Sequence, residues 1–123
     1  MTRKKILLVD DAETVLLVER MALGKEPYEL VTAKDGAEAI AKATVMRPDL
    51  ILMDVVMPKM NGFEACRRLR ESEATKDIPI VLVTTRAEAE SMQTGFESGC
   101  TDYLTKPING AELLAKVKQY LGQ

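Results

Sequence analysis

The stretch Leu50-Ile51-Leu52-Met53-Asp54 sets four apolar side chains in succession and closes them with an acid. A strand with one wet face alternates apolar and polar residues, whereas a run apolar at every position suits a strand covered on both faces, as in a parallel sheet. Outward from it, runs of strand length recur at Lys5 to Val9, Tyr28 to Ala33, Ile80 to Thr84 and Asp102 to Leu104, most of them equally continuous. Helical patterns lie between. Ala37, Ile40, Ala41 and Thr44 share one helical face, as do Gly110, Leu113, Leu114 and Val117, and Glu13 to Leu23 is apolar around most of its circumference. Asp35, Asn61 and Asn109 each stand three residues before a Glu, a capping-box spacing that predicts helix starts near 36, 62 and 110. Two more helices are predicted to begin around Ala12 and around Ala87 to Glu90, with Gly24 and Gly99 as stops. Five strand–helix units in strict alternation, joined by right-handed crossovers, give an α/β doubly wound fold: a five-stranded parallel sheet with helices on both faces.

The 123 residues are enough for one domain and one core, so residues 1–123 are expected to form a single unit. Hydrophobic residues at 46% and charged residues at 29% supply both a core and a wet surface, which excludes disorder. A net charge of −2 argues against nucleic acid as a direct partner. The absence of histidine removes Ser-His-Asp and Cys-His nucleophile pairs and histidine metal sites, leaving carboxylates, hydroxyls and lysines to carry any chemistry. Cys66 and Cys100 are expected to be reduced, half-buried packing residues. The apolar run Ile6 to Val9 is too short for a secretion signal or a membrane span, so a cytoplasmic protein away from the membrane is expected.

In an open α/β sheet, ligands bind beyond the carboxyl ends of the strands. Four of the five strand ends are polar here: Asp10-Asp11, Asp54, Thr84-Thr85 and Thr105-Lys106-Pro107. Asp10 or Asp11 alone could simply cap a helix, and Lys106 alone could be a solvated surface lysine. Asp54 is different, because a strand-end acid followed by Val55-Val56-Met57-Pro58 has no helix to cap. If the strand order makes these ends neighbours, three carboxylates share a pocket with a hydroxyl and an ammonium. They stay ionised together only around a cation, and an oxygen-only cluster of this kind suits Mg²⁺.

Leu7-Leu8-Val9-Asp10-Asp11, Met53-Asp54-Val55-Val56-Met57-Pro58-Lys59-Met60-Asn61-Gly62, Ile80-Val81-Leu82-Val83-Thr84 and Tyr103-Leu104-Thr105-Lys106-Pro107 resemble the receiver domains of bacterial two-component response regulators, of the stand-alone chemotaxis type. The likeness runs over about residues 4 to 121 and implies a flavodoxin-like strand order of 2-1-3-4-5. It implies that Asp54 accepts a phosphoryl group from a phosphohistidine on a histidine kinase. Mg²⁺ would be held by Asp11, Asp54 and the backbone carbonyl of Val56, with Asp10 acting mainly through a metal-bound water. Lys106 would pair with phosphoryl oxygens and Thr84 would donate to one. Tyr103 matches an aromatic that turns inward when Thr84 moves, in a switch of the face built from the fourth helix, fifth strand and fifth helix.

That face would contact a downstream protein, the molecule being a monomer or a phosphorylation-dependent dimer. The Lys106–Pro107 peptide is usually cis in the family. Val56 and Arg86 flank the phosphoryl position. Asn61 stands where Asp is frequent, and Thr85, where a small residue is common, adds bulk that would tune the switch. The alternatives are a degenerate receiver that only binds proteins and, further off, a haloacid-dehalogenase-like phosphohydrolase. The latter would want a second Asp two residues after the nucleophile, where this chain has Val56.

Overall fold

The computed structural model describes residues 3–85 and 89–122. Its elements alternate as the sequence implies: β1 (Lys4–Val9), α1 (Glu13–Leu23), β2 (Tyr28–Ala33), α2 (Gly36–Met46), β3 (Leu50–Asp54), α3 (Gly62–Glu71), β4 (Ile80–Thr84), α4 (Ala89–Glu97), β5 (Asp102–Thr105) and α5 (Gly110–Leu121). All four strand pairings are parallel, in the order β2-β1-β3-β4-β5. Strand periodicity then sorts the continuous apolar runs into two cores. Ile6, Leu8, Leu50, Leu52, Val81 and Val83 face Leu16 and Leu23 of α1 and Leu113 and Val117 of α5. Leu7, Val9, Ile51, Met53, Ile80 and Leu82 face Ala39 and Ala43 of α2 and Ala65, Cys66 and Leu69 of α3.

The three Asx residues cap as their spacing predicts: Asp35, Asn61 and Asn109 accept from the backbone N–H groups of Glu38, Glu64 and Glu112 at 2.8, 2.9 and 3.0 Å. The reciprocal half differs. Glu38 reaches back, but to the N–H of Lys34, one residue before the cap, while Glu64 pairs forward with Arg68. Gly99 closes α4 with a φ of 100°, whereas Gly24 stays in right-handed geometry at the end of α1. α1 buries less than its composition suggests: Leu16, Glu19 and Leu23 are inside, but Leu17, Val18 and Met21 are exposed. The two cysteines are free and buried, not half-buried, because Cys66 on the inner face of α3 and Cys100 after α4 belong to the same core cluster. Burial pushes the Cys66 thiol up to about 11 and that of Cys100 to about 12, so both are inert packing groups at neutral pH. Arg70 locks the far end of the sheet, donating to the carbonyls of Gly99, Lys76 and Ile78 and to the Thr101 hydroxyl.

Candidate functional site

The order β2-β1-β3-β4-β5 makes the carboxyl ends of β1, β3, β4 and β5 consecutive neighbours, and the polar residues at those ends meet. The N–H of Asp10 bonds the carbonyl of Ala33, which carries the β1–β2 ladder one residue past β1 and fixes where the acid emerges. Asp10 is 2% exposed. Its Oδ1 accepts from the N–H of Ala12 at 2.9 Å, so it does form the local turn bond that an Asp before a helix can make. Its other oxygen, Oδ2, accepts from Lys106 Nζ at 3.0 Å, and the same ammonium lies 3.3 Å from Oδ1 of Asp54. Asp11 is exposed, yet Asp10, Asp11 and Asp54 each bring a carboxylate oxygen within 4.8 Å of the others.

Electrostatics follow from that crowding. The Asp54 carboxyl is raised above the ordinary range, first by burial and next by the charge of Asp10, with Lys106 opposing both. Burial would lower the Lys106 ammonium, but its hydrogen bond to Asp10 and the charges of Asp54 and Asp10 outweigh that and hold it above its usual value. One lysine between three acids leaves negative charge in excess, and carboxylate oxygens gathered this closely are a donor set for a hard divalent cation. No other cluster of this type occurs among the described residues.

Thr84, wholly buried, ends β4 opposite Thr105, and its carbonyl accepts from the N–H of Lys106 at 2.7 Å, tying the two strand ends together. Tyr103 is buried under α4, where a Cβ on Gly95 would come 3.2 Å from its ring, so the inward position is the one seen. Val56 stands exposed two residues past Asp54. The Lys106–Pro107 peptide is cis. Arg86 lies outside the described residues.

Two residues that the sequence did not single out belong to the site. Gly62 bonds the carbonyl of Val55 through its N–H at 2.8 Å, and a Cβ there would sit 2.4 Å from the carbonyl oxygen of Asp54. The start of α3 is thus pressed against the backbone that carries Asp54, which only glycine permits. Glu19 is 1% exposed on the inner face of α1. Glu19 falls on the stripe of Leu16 and Leu23, but with α1 apolar around most of its circumference the sequence does not say which stripe faces the sheet.

With this geometry, comparison with known proteins is unambiguous. The chain matches the family model for the response regulator receiver domain over residues 6–118 and belongs to that family. It is 41% identical over 118 residues to the alkaline phosphatase synthesis transcriptional regulatory protein PhoP of Bacillus subtilis, covering 96% of this chain and 48% of that protein. It is 37% identical to protein PilH of Pseudomonas aeruginosa, covering 95% of this chain and 97% of the other. Among solved structures it superposes with a TM-score of 0.90 on the receiver domain of sensor histidine kinase PA1611 from Pseudomonas aeruginosa, at 31% identity, covering 99% of this chain and all of that one. That structure has a magnesium ion coordinated in its active site cleft. The chain spans about half the length, or less, of several curated relatives it matches. No described helix is long and apolar enough to cross a membrane.

Proposed function

We propose that this domain accepts a phosphoryl group on Asp54 from a phosphohistidine of a histidine kinase, in the cytoplasm, with Mg²⁺ as cofactor, and signals to a partner protein through the face of α4, β5 and α5. The observation that carries the reading is the Lys106 ammonium shared between Asp10 and Asp54 inside a cluster of three carboxylates. In the transfer, an Asp54 carboxylate oxygen forms the new P–O bond as the P–N bond to the donor imidazole breaks, and the imidazole leaves with that electron pair. Asp10, Asp11, Asp54 and the carbonyl of Val56 would hold the cation, which when bound neutralises charge on the oxygens of the transferring group. Lys106, already beside Asp54, needs only a small movement to pair with a phosphoryl oxygen. The Thr84 hydroxyl would be drawn toward another and pass the change to α4, under which Tyr103 is already buried.

The donor protein has a seat next to the acceptor. Leu17, Val18 and Met21 form an exposed apolar strip on α1, beside a groove of about 220 Å³ lined by Thr14, Val15, Val18, Lys106, Pro107 and Ile108. Turnover as a phosphohydrolase is disfavoured, because the position two after Asp54 is an exposed valine with no proton to give. Incubation with a radiolabelled phosphorylated histidine kinase tests the reading. Label should pass to the wild type, be absent from Asp54→Asn and be discharged by hydroxylamine, as an acyl phosphate must. Hydroxylamine-stable label on the wild type would overturn it.

A further inference from the structure

The two ends of α4 stand at opposite edges of the sheet. The helix follows β4, which ends at Thr84 in the site, and runs back toward the strand starts. At that far end it closes with a two-bond cap: the N–H of Cys100 donates to the carbonyl of Gly95 at 3.1 Å and the N–H of Gly99 to that of Phe96 at 3.0 Å, with Gly99 at a φ of 100°. The carbonyl of Gly99 accepts from Nε of Arg70, on α3, at 2.8 Å. A Cβ on Gly99 would sit 2.7 Å from Arg70 Cγ, so the arginine stem lies directly against the cap.

The same guanidinium fixes the ground around that cap. Its Nη1 donates to the carbonyls of Lys76 and Ile78 at 3.0 and 2.7 Å, and Nη2 donates to the Thr101 hydroxyl at 3.2 Å. Thr101 is tied in turn to β4, its hydroxyl accepting from the N–H of Ile80 at 3.0 Å and its own N–H donating to the Ile80 carbonyl at 2.7 Å. One planar side chain with its donors in a rigid fork therefore joins the end of α4, the α3–β4 connection and the entry to β5. We propose that Arg70 is a positioning residue of the switch: it holds the carboxyl end of α4 as a pivot, so that a change at Thr84 swings the helix about Gly99 instead of sliding it along the sheet. This rests on the phosphoacceptor reading above, in which α4 is the element that responds. In a swing, displacement grows with distance from the pivot. Gly95, about 6 Å from Gly99, should move roughly two fifths as far as Ala89, about 15 Å away.

Beryllofluoride with Mg²⁺, a non-covalent stand-in for the acyl phosphate, tests it by titration into ¹⁵N-labelled wild type, Arg70→Met and Arg70→Lys, with amide shifts read along α4 and urea stability measured beside them. In the wild type the shift changes should be largest near Ala89 and fall away to nothing at Gly99, Cys100 and Thr101. Arg70→Met, which has no donor, should show changes of similar size from Ala89 through Thr101. Arg70→Lys, whose ammonium cannot span the four acceptors, should also show changes at Gly99, and it decides alone if Arg70→Met does not fold. Every folded variant should bind beryllofluoride within about twofold of wild type, because Arg70 stands at the edge of the sheet opposite Asp54. Variants that lose urea stability but keep the wild-type gradient along α4 would make Arg70 a structural brace only, and overturn the proposal. Changes at Gly99 to Thr101 of the wild type as large as those at Ala89 overturn it too, while leaving the phosphoacceptor reading in place. A wild type that binds no beryllofluoride overturns both.

Discussion

Replacing Glu19 by Gln in the metal-free protein should change how stability depends on pH, in a direction opposite to ordinary acid denaturation. Burial lifts the folded-state carboxyl to about 8, against an ordinary value of 4.5 for an exposed one. Below 4.5 both states hold the proton and the group is neutral to stability. Between 4.5 and 8 the folded state keeps a proton that the unfolded chain has released, so its stability falls by about 1.4 kcal/mol per pH unit. The whole loss is about 5 kcal/mol, of which about 4 kcal/mol falls between pH 5 and pH 9, a large share of the ~5–15 kcal/mol that holds a domain of this size. Urea denaturation in chelator from pH 5 to pH 9 measures it. With a slope near ~1.5 kcal/mol per molar urea, the wild-type midpoint should drop by roughly 2.5 M more than that of Glu19→Gln. The raised Asp54 carboxyl and the Asp102 carboxyl, which its bonds to Tyr120, the Tyr103 N–H and Lys116 hold low against the upward pull of burial, titrate in both proteins and cancel in the difference. Parallel pH curves for the two proteins would refute the reasoning.

Gly62→Ala should cost about 2 kcal/mol or more by thermal melting and slow phosphorylation together, because the added carbon meets the Asp54 backbone at 2.4 Å; an unchanged melting temperature would contradict the close approach. Lys106→Ala should still be phosphorylated in Mg²⁺ but fail to transmit it, and amide shifts in α4 and around Tyr103 that equal those of wild type would show that the lysine does not couple. Val56→Asn with Arg86→Glu should shorten the acyl phosphate lifetime several-fold, since Val56 stands exposed beside Asp54 and offers an attacking water no hydrogen bond; loss of phosphoprotein followed over time decides it.

The fold was legible because its determinants are local and redundant. Runs such as Leu50 to Met53 and Ile80 to Val83 have no wet position, so they admit only a two-faced sheet, and three Asx caps marked three helix starts. The site was legible for the same reason that sheets bind at strand ends: Asp10, Asp54, Thr84 and Lys106 each follow or end an apolar run, and the strand order brings them together. What escaped was set by tertiary packing. The outer face of α1 reads as core by composition, but one helix can bury only one stripe, and Leu17, Val18 and Met21 fall outside it. Gly62 reads as a helix start, and nothing in the chain says that its missing side chain is where the Asp54 carbonyl lies. Glu19 reads as a surface acid until its neighbours on the stripe, Leu16 and Leu23, are seen to face the sheet.

The central claim is that Asp54 is the acceptor and that its neighbours make it one. Intact-mass measurement after incubation with a small-molecule phosphodonor and Mg²⁺ tests this most directly, on the wild type, Asp54→Asn and Asp10→Asn side by side. One phosphoryl group is expected on the wild type, a reduced fraction on Asp10→Asn and none on Asp54→Asn. Undiminished labelling of Asp54→Asn, or a wild type that takes no phosphoryl group, would contradict it.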